Sequence, residues 1–289
     1  MKKDYTALYF ILMLLLVFGV QSANAQKVDY WRSDSVKVIR LLREAPKMTS
    51  MGDQIVYFAR KLLGLPYVAK TLEKNKEEQL VVNLRQLDCT TFLESVLSLA
   101  RTRQQERKTF ESYCDNLRHI RYRGGRVNYV DRLHYFAYWI GCNEREGIVK
   151  SIQRPNPPFR AVLNWPVNYM TTHRNLYPML KIHPEWTDDI RRMEDSVPRL
   201  RLRYIPKSEV ANTKLLRSVI QNGDIIAIVT NKRGLDTSHV AFAVWHKDGL
   251  HIIHASSSAK RVIEDPSTLY RYLARHKSQT GIMVARAIN

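Results

Sequence analysis

Around Asn222 the hydrophobic period of the chain changes, and apart from one short helical stretch it does not change back. Before that point apolar residues recur at helical spacing. After it they alternate or run as β-branched stretches between turn residues. Helices followed by strands with short connections predict an α+β fold, in which helices pack on an antiparallel β-meander. Helical spacing covers residues 33–45, where Val36, Val38, Ile39, Leu41 and Leu42 recur until Pro46, and residues 52–63, which end at Gly64. Further helices are predicted at 89–103, 108–120, 129–143 and 268–276. Strands are predicted at 225–230, 239–245, 250–255, 261–264 and 281–287, with Asn222-Gly223-Asp224 and Lys247-Asp248-Gly249 as turns.

Between residues 150 and 206 periodicity fades while prolines accumulate, among them Pro155, Pro157, Pro158, Pro166 and Pro178. A stretch of that length inside a compact chain is either functional or disordered, and its aromatic content predicts an ordered wall. Residues 70–79 are charged and predict a solvated loop. The 289 residues, 45% of them apolar, suffice for one large core. They are read as a leader over 1–25 and a single catalytic domain over 26–289, with 150–206 as an ordered insertion.

The leader is predicted from Met1-Lys2-Lys3, an apolar run from Ala7 to Val20, and the small-x-small pattern Ala23-Asn24-Ala25 before Gln26. The run is short of the roughly 20 residues that span a bilayer, and no later stretch reaches that length, so no stable membrane anchor is expected. Export across the inner membrane, with a periplasmic location, follows. Lys and Arg number 46 against 27 Asp and Glu, a net charge of +19. An exported chain does not meet nucleic acid, so this charge either serves solubility or faces an acidic surface or substrate. Oligomeric state is left open.

Cys89 opens the helix predicted at 89–103. Asp88 or Thr90 can cap it, Thr91 with Glu94 has capping-box spacing, and Phe92, Val96, Leu97, Leu99 and Ala100 make it apolar on most faces. A thiol at a helix start meets unpaired N–H groups and the positive end of the helix dipole, which favour a thiolate. The chain has three cysteines, Cys89, Cys114 and Cys142. An odd number leaves at least one free thiol in an oxidising compartment, and Cys114 could pair with Cys142.

Strand alternation sorts the histidines that could serve Cys89. His239 starts a strand on which Val240, Phe242 and Val244 take the opposite face, while His251 and His254, three apart on the next strand, face opposite ways. Only one of the latter can join His239. His173 and His183 bring no His-Glu-x-x-His ligand set, so no metal and no cofactor is expected. The aromatic segment containing Tyr129, Tyr135 and Tyr138 serves either packing or sugar stacking.

Gly64-Leu65-Pro66-Tyr67, Asp88-Cys89-Thr90, His239-Val240-Ala241 and Ile253-His254-Ala255 resemble, in that order, the NlpC-type papain-like cysteine peptidoglycan hydrolases. The span from about Met51 onward resembles their N-acetylmuramoyl-L-alanine-amidase-like branch, with Tyr122-Arg123-Gly124-Gly125, Arg132-Leu133-His134-Tyr135-Phe136 and Asp224-Ile225-Ile226-Ala227 as further matching segments. The resemblance implies Cys89 as nucleophile, His239 as general base, His254 as the residue orienting the base, and Tyr67 as a neighbour of the oxyanion. His251 has no counterpart. Members at large often carry Ser then Gly after the cysteine; Thr90 and Thr91 here imply a tighter wall. Thr90, Arg123, Arg132 and Tyr135 are the candidate substrate contacts.

The implied reaction is cleavage of the amide between N-acetylmuramic acid and L-Ala, in peptidoglycan or muropeptide fragments, through a cysteine thioester. Its rivals are a γ-D-glutamyl endopeptidase acting on the stem peptide and a non-catalytic wall-binding protein.

Overall fold

A computed structural model describes residues 27–211 and 213–289, and the leader expected over 1–25 lies outside them. The chain runs through β1 (Val28–Tyr30), α1 (Arg32–Glu44), α2 (Met51–Lys61), β2 (Leu80–Val82), α3 (Cys89–Gln104), α4 (Phe110–Arg121), α5 (Phe136–Arg145) and β3 (Val149–Ile152). Next come β4 (Ala161–Val162), α6 (Tyr169–Thr172), α7 (Pro178–Ile182), α8 (Thr187–Ser196), β5 (Arg203–Pro206) and α9 (Lys214–Val219). It closes with β6 (Ile225–Thr230), β7 (Thr237–Trp245), β8 (Leu250–Ser256), β9 (Arg261–Glu264), α10 (Leu269–Arg275) and β10 (Gln279–Ala287). The fold is α+β, and its main sheet is antiparallel in the order β4-β5-β10-β6-β7-β8-β9, with β3 also on β10. β1 and β2 form a separate parallel pair.

Two cores cover the two faces of the sheet. Alternation along β7 turns Val240, Phe242 and Val244 toward α3, while Ala241 and Ala243 join Leu216, Val219, Leu269 and Leu273 of α9 and α10. Phe92 of α3 meets Phe242 edge to face at 5.8 Å, and each fully buried side chain of this kind contributes about 1.5–3 kcal/mol. The first turn of α2 can press on the turn before β6 because both sides are glycine. A Cβ on Gly52 would stand 2.2 Å from the Asn222 carbonyl, and Gly223 adopts φ +82.

The helix predicted over 129–143 is broken in two. A 3₁₀ turn covers Tyr129–Asp131, and α5 starts only at Phe136. Arg132 between them pairs with Tyr122 in a β-bridge, and Leu133 donates to the Arg121 carbonyl, so the backbone there is tied to the end of α4. The Ala137 N–H in the first turn of α5 is met by Asp236 at 2.7 Å, a partner 99 residues away that local spacing does not reveal. Cys114 and Cys142 both carry free, buried thiols, so the pairing that an exported chain allowed does not form.

Residues 150–206 add β3, β4 and β5 to the sheet and then pack α8 against α6. The pin is Glu194 of α8, which accepts from the Tyr135 hydroxyl at 2.7 Å and from Thr171 Oγ1 at 2.5 Å. Among the described residues no helix is long and apolar enough to cross a membrane.

Candidate active site

Cys89 is the first residue of α3, and its cap is Asp88. Asp88 Oδ1 accepts the Thr91 N–H at 2.8 Å, while Thr91 Oγ1 accepts the Asp88 N–H at 2.9 Å, so the capping box lies three residues earlier than the Thr91/Glu94 spacing predicted. Glu94 is instead fully buried against Arg121 at 2.7 Å, and Arg121 also donates to the Val81 carbonyl. These bonds tie α3, α4 and β2 into one block behind the cysteine.

The segment before Tyr67 is held to the strand-like turn preceding the cysteine. Leu87 donates to the Pro66 carbonyl and Val68 to the Leu87 carbonyl, so Tyr67 is bridged to Leu87, two residues from Cys89. Burial first, then the neighbouring Cys89 and Asp88, push the Tyr67 hydroxyl up to about 12. It stays protonated and available as a donor.

The Cys89 thiol is pushed up to about 12 by burial and by Asp88; N–H groups of Val240 and Thr90 and the Thr90 hydroxyl oppose the rise without cancelling it. The thiolate expected from the helix start is therefore not the resting form. Desolvation of a charged sulfur outweighs the helix dipole, whose contribution is typically about 0.3–1 kcal/mol.

His239 precedes Val240 and stands beside a β-bulge at the start of β7, where pairing with β6 slips between Ile228 and Val229. Its Nε2 lies 2.6 Å from His254 Nδ1, with the two rings nearly perpendicular at 85°. Burial, then His254 and His276, depress the His239 imidazole to about 3, so it rests neutral. His254 is buried, and its far nitrogen, Nε2, stands 3.5 Å from Asp265 Oδ2, a loose contact. Burial raises the Asp265 carboxyl, but His254, the Ser267 N–H and Arg275 lower it more, and the net shift is downward. Tyr272 of α10 closes this side, edge-on to His254 at 5.7 Å and 6.5 Å from His239.

The structure thus brings His239 and His254 into direct contact and places Val240, one residue from His239, on the thiol. Hydrogen bonds from the Val240 N–H and from Thr90 reach the thiol. Asp265 and Tyr272 were not singled out by the sequence. Asp265 follows the end of β9 with no motif around it, and Tyr272 reads as one more helical aromatic.

Thr90, Asp88 and Arg132 line a cleft of about 220 Å³ beside the first turn of α3, closed by Leu176, Tyr177 and Pro178 from the 150–206 region. Three of the expected substrate contacts are otherwise engaged. Arg132 is buried between Glu73 and Glu78, carboxylates of the loop expected to be solvated, and is not a free cation. Arg123 bonds Asp131 at 2.6 Å and Tyr138. Tyr135 is buried, and its hydroxyl is committed to Glu194 and the Met170 N–H, so it serves packing rather than sugar stacking.

A family model described as AmiA-like, N-acetylmuramoyl-L-alanine amidase-like, matches residues 57–282. The chain belongs to the N-acetylmuramoyl-L-alanine amidase-like family. Solved structures agree with that membership. Two crystal structures of an N-acetylmuramoyl-L-alanine amidase from Bacteroides uniformis ATCC 8492 align at 34% and 33% identity with TM-scores of 0.76 and 0.77, covering 83% of this chain and 99% of theirs. A Bacteroides fragilis structure, provisionally called a xylanase, aligns at 36% identity with a TM-score of 0.72, covering 79% of this chain and 98% of that one. No curated protein matches the chain significantly by sequence. The amidase-like family places peptidoglycan among its substrates, and the match spans α2 to β10, including every element that positions the site.

Proposed function

We propose that the chain is an exported, papain-like cysteine amidase that cuts the bond between the lactyl group of N-acetylmuramic acid and L-Ala. The observation that carries this reading is the capped thiol of Cys89 under the Val240 N–H, next to the bonded pair His239 and His254. The Cys89 thiol and the His239 imidazole rest neutral, so attack and proton transfer are coupled. His239 takes the thiol proton as sulfur adds to the carbonyl, then passes it to the departing amine of L-Ala. The Cys89 backbone N–H and the Tyr67 hydroxyl meet the oxyanion, each worth about 2.7–4 kcal/mol when well placed. Water then cleaves the thioester and leaves a lactyl carboxylic acid. His254 fixes the ring plane and tautomer of His239, with Asp265 behind it. The net charge of +19 favours the carboxylate-bearing stem peptide.

The rival readings separate cleanly. A glycosidase needs two carboxylates flanking one cleft, whereas here Asp88 caps α3 and Glu94 is paired with Arg121. A γ-D-glutamyl endopeptidase shares the chemistry and differs in product. Digestion of purified muropeptides followed by mass spectrometry is the deciding experiment: free stem peptide beginning at L-Ala is expected, and its absence beside products cut after γ-D-Glu would overturn the assignment. Cys89→Ala protein that releases the same stem peptide as wild type would overturn the cysteine mechanism.

A further inference from the structure

The 150–206 region helps to build a second cavity, of about 510 Å³, that the cysteine chemistry leaves unused. Its wall is aromatic, with Trp165 and Tyr204 half-buried and edge to face at 6.1 Å. Its mouth is polar, with Asn168, Asn231, Lys232 and Arg233 all exposed. Arg123 and Arg132 are held in ion pairs, whereas among the described residues neither Lys232 nor Arg233 has one. Open N–H donors around an aromatic wall have the composition of a ligand site.

The cavity is held in shape by its own backbone. The Asn168 and Tyr169 N–H groups both donate to the Gly234 carbonyl at 3.0 Å, and Val167 is bridged to Gly234, so the 231–234 turn is fastened to the 165–169 segment. Trp165 Nε1 donates to the Leu235 carbonyl at 2.9 Å, which fixes the indole plane and uses its one donor. What the ring keeps for a ligand is apolar surface.

The same backbone joins this cavity to the reacting centre. The 231–234 turn leads through Leu235 and Asp236 into β7, which carries His239. Thr230 on the cavity wall lies two residues past Ile228, the cross-strand partner of His239, or about 7 Å along β6. Thr280, also on the wall, follows Gln279, whose side chain bonds Tyr272, the ring beside His239. The cleft at Thr90 is closed by Leu176, Tyr177 and Pro178, so the one stretch 165–178 borders both spaces.

We infer that this cavity binds an N-acetylated amino sugar of the glycan, with Trp165 as its platform, and leaves the charged cleft at Thr90 to the stem peptide. A pyranose presents a face of C–H groups to an aromatic ring, and around its edge it carries hydroxyl and acetamido oxygens that accept from the amides and cations of the mouth. A stem peptide supplies carboxylates for Lys232 and Arg233 but no flat apolar face for Trp165. On the amidase reading, on which this assignment rests, the glycan lies on the lactyl side of the cut bond.

The test gives full-length protein two substrates that share the cut bond. One is an N-acetylglucosaminyl-N-acetylmuramoyl peptide, and the other is a D-lactoyl peptide of the same sequence with no sugar. The ratio of kcat/KM for the first over the second should fall about tenfold in Trp165→Ala, mainly through KM. It should fall about threefold in the Lys232→Ala/Arg233→Ala double variant, whose exposed positions keep the test open where Trp165→Ala does not fold. A ratio equal to wild type in the folded variants overturns the sugar site. Binding is read separately, by saturation-transfer NMR with the peptide-free disaccharide. Transfer to the disaccharide is expected with wild type and should be weakened in the variants; none with wild type overturns the site even where cleavage is normal. Transfer without cleavage of either substrate supports the sugar site while removing the amidase assignment, so the two failures are distinguishable.

Discussion

Two polar networks meet the first turns of α3, and they are finished to different degrees. Around Glu94, Arg121 and Arg132 every charge has an opposite partner, with buried contacts to Glu73, Glu78 and the Val81 carbonyl. Around Cys89 the valences are left partly open. The thiol rests protonated, His239 is neutral, and His254 reaches Asp265 only loosely. Ion pairing suits a network that holds elements together, because any unpaired charge there costs several kcal/mol. Incompleteness suits one that must change protonation during a reaction. The same helix carries both, and its N-terminus separates chemistry from architecture.

The sharpest break of that contrast is Cys89→Ala, which is expected to lower muropeptide cleavage by more than about 10⁴-fold with the melting temperature held. Tyr67→Phe should lower kcat by about 10²-fold with little change in KM, read from steady-state kinetics on the same substrate. On the ion-paired side, Glu94→Ala strands Arg121 in the core and should cost about 3–5 kcal/mol in urea unfolding, far more than Asp265→Asn, which loosens only His254. Asp265→Asn should instead slow turnover by about tenfold and leave stability near wild type. If Asp265→Asn destabilises as strongly as Glu94→Ala, the two networks do not differ in kind.

The alkylation profile of Cys89 sharpens the comparison further. Only thiolate reacts with iodoacetamide, and a thiol raised to about 12 holds little thiolate at neutral pH. The rate in free protein should climb about tenfold per pH unit between about pH 6 and pH 10. A plateau below about pH 7 would mean a preformed thiolate–imidazolium pair. His239 makes stability itself depend on pH. Its imidazole is depressed to about 3 in the folded chain against about 6.5 unfolded, so its contribution is present above about 6.5 and is lost as pH falls through that window.

Sequence reading reached what is local. The turn at Asn222, the alternation of β7 and the helix opening at Cys89 depend on neighbours a few residues apart, whereas β3, β4 and β5 join the main sheet from before that turn. What it missed depends on partners far along the chain. Arg132 reads as a surface cation until Glu73 and Glu78 are folded over it, and the cap on α5 comes from Asp236. The break at Arg132 defeated helical spacing because Tyr122 and Arg121 pull the backbone out of register. Asp265 matters only because β8 and β9 place it behind His254.

A protonated, half-buried sulfur also bears on how long such a molecule lasts. Peroxides oxidise thiolates far faster than thiols, and the climb to sulfinic acid does not reverse. For an enzyme proposed to act outside the reducing cytoplasm, a thiol that ionises only when substrate arrives limits that wear. Cys89 is thereby kept from spending its single nucleophile on oxidants between encounters with the wall.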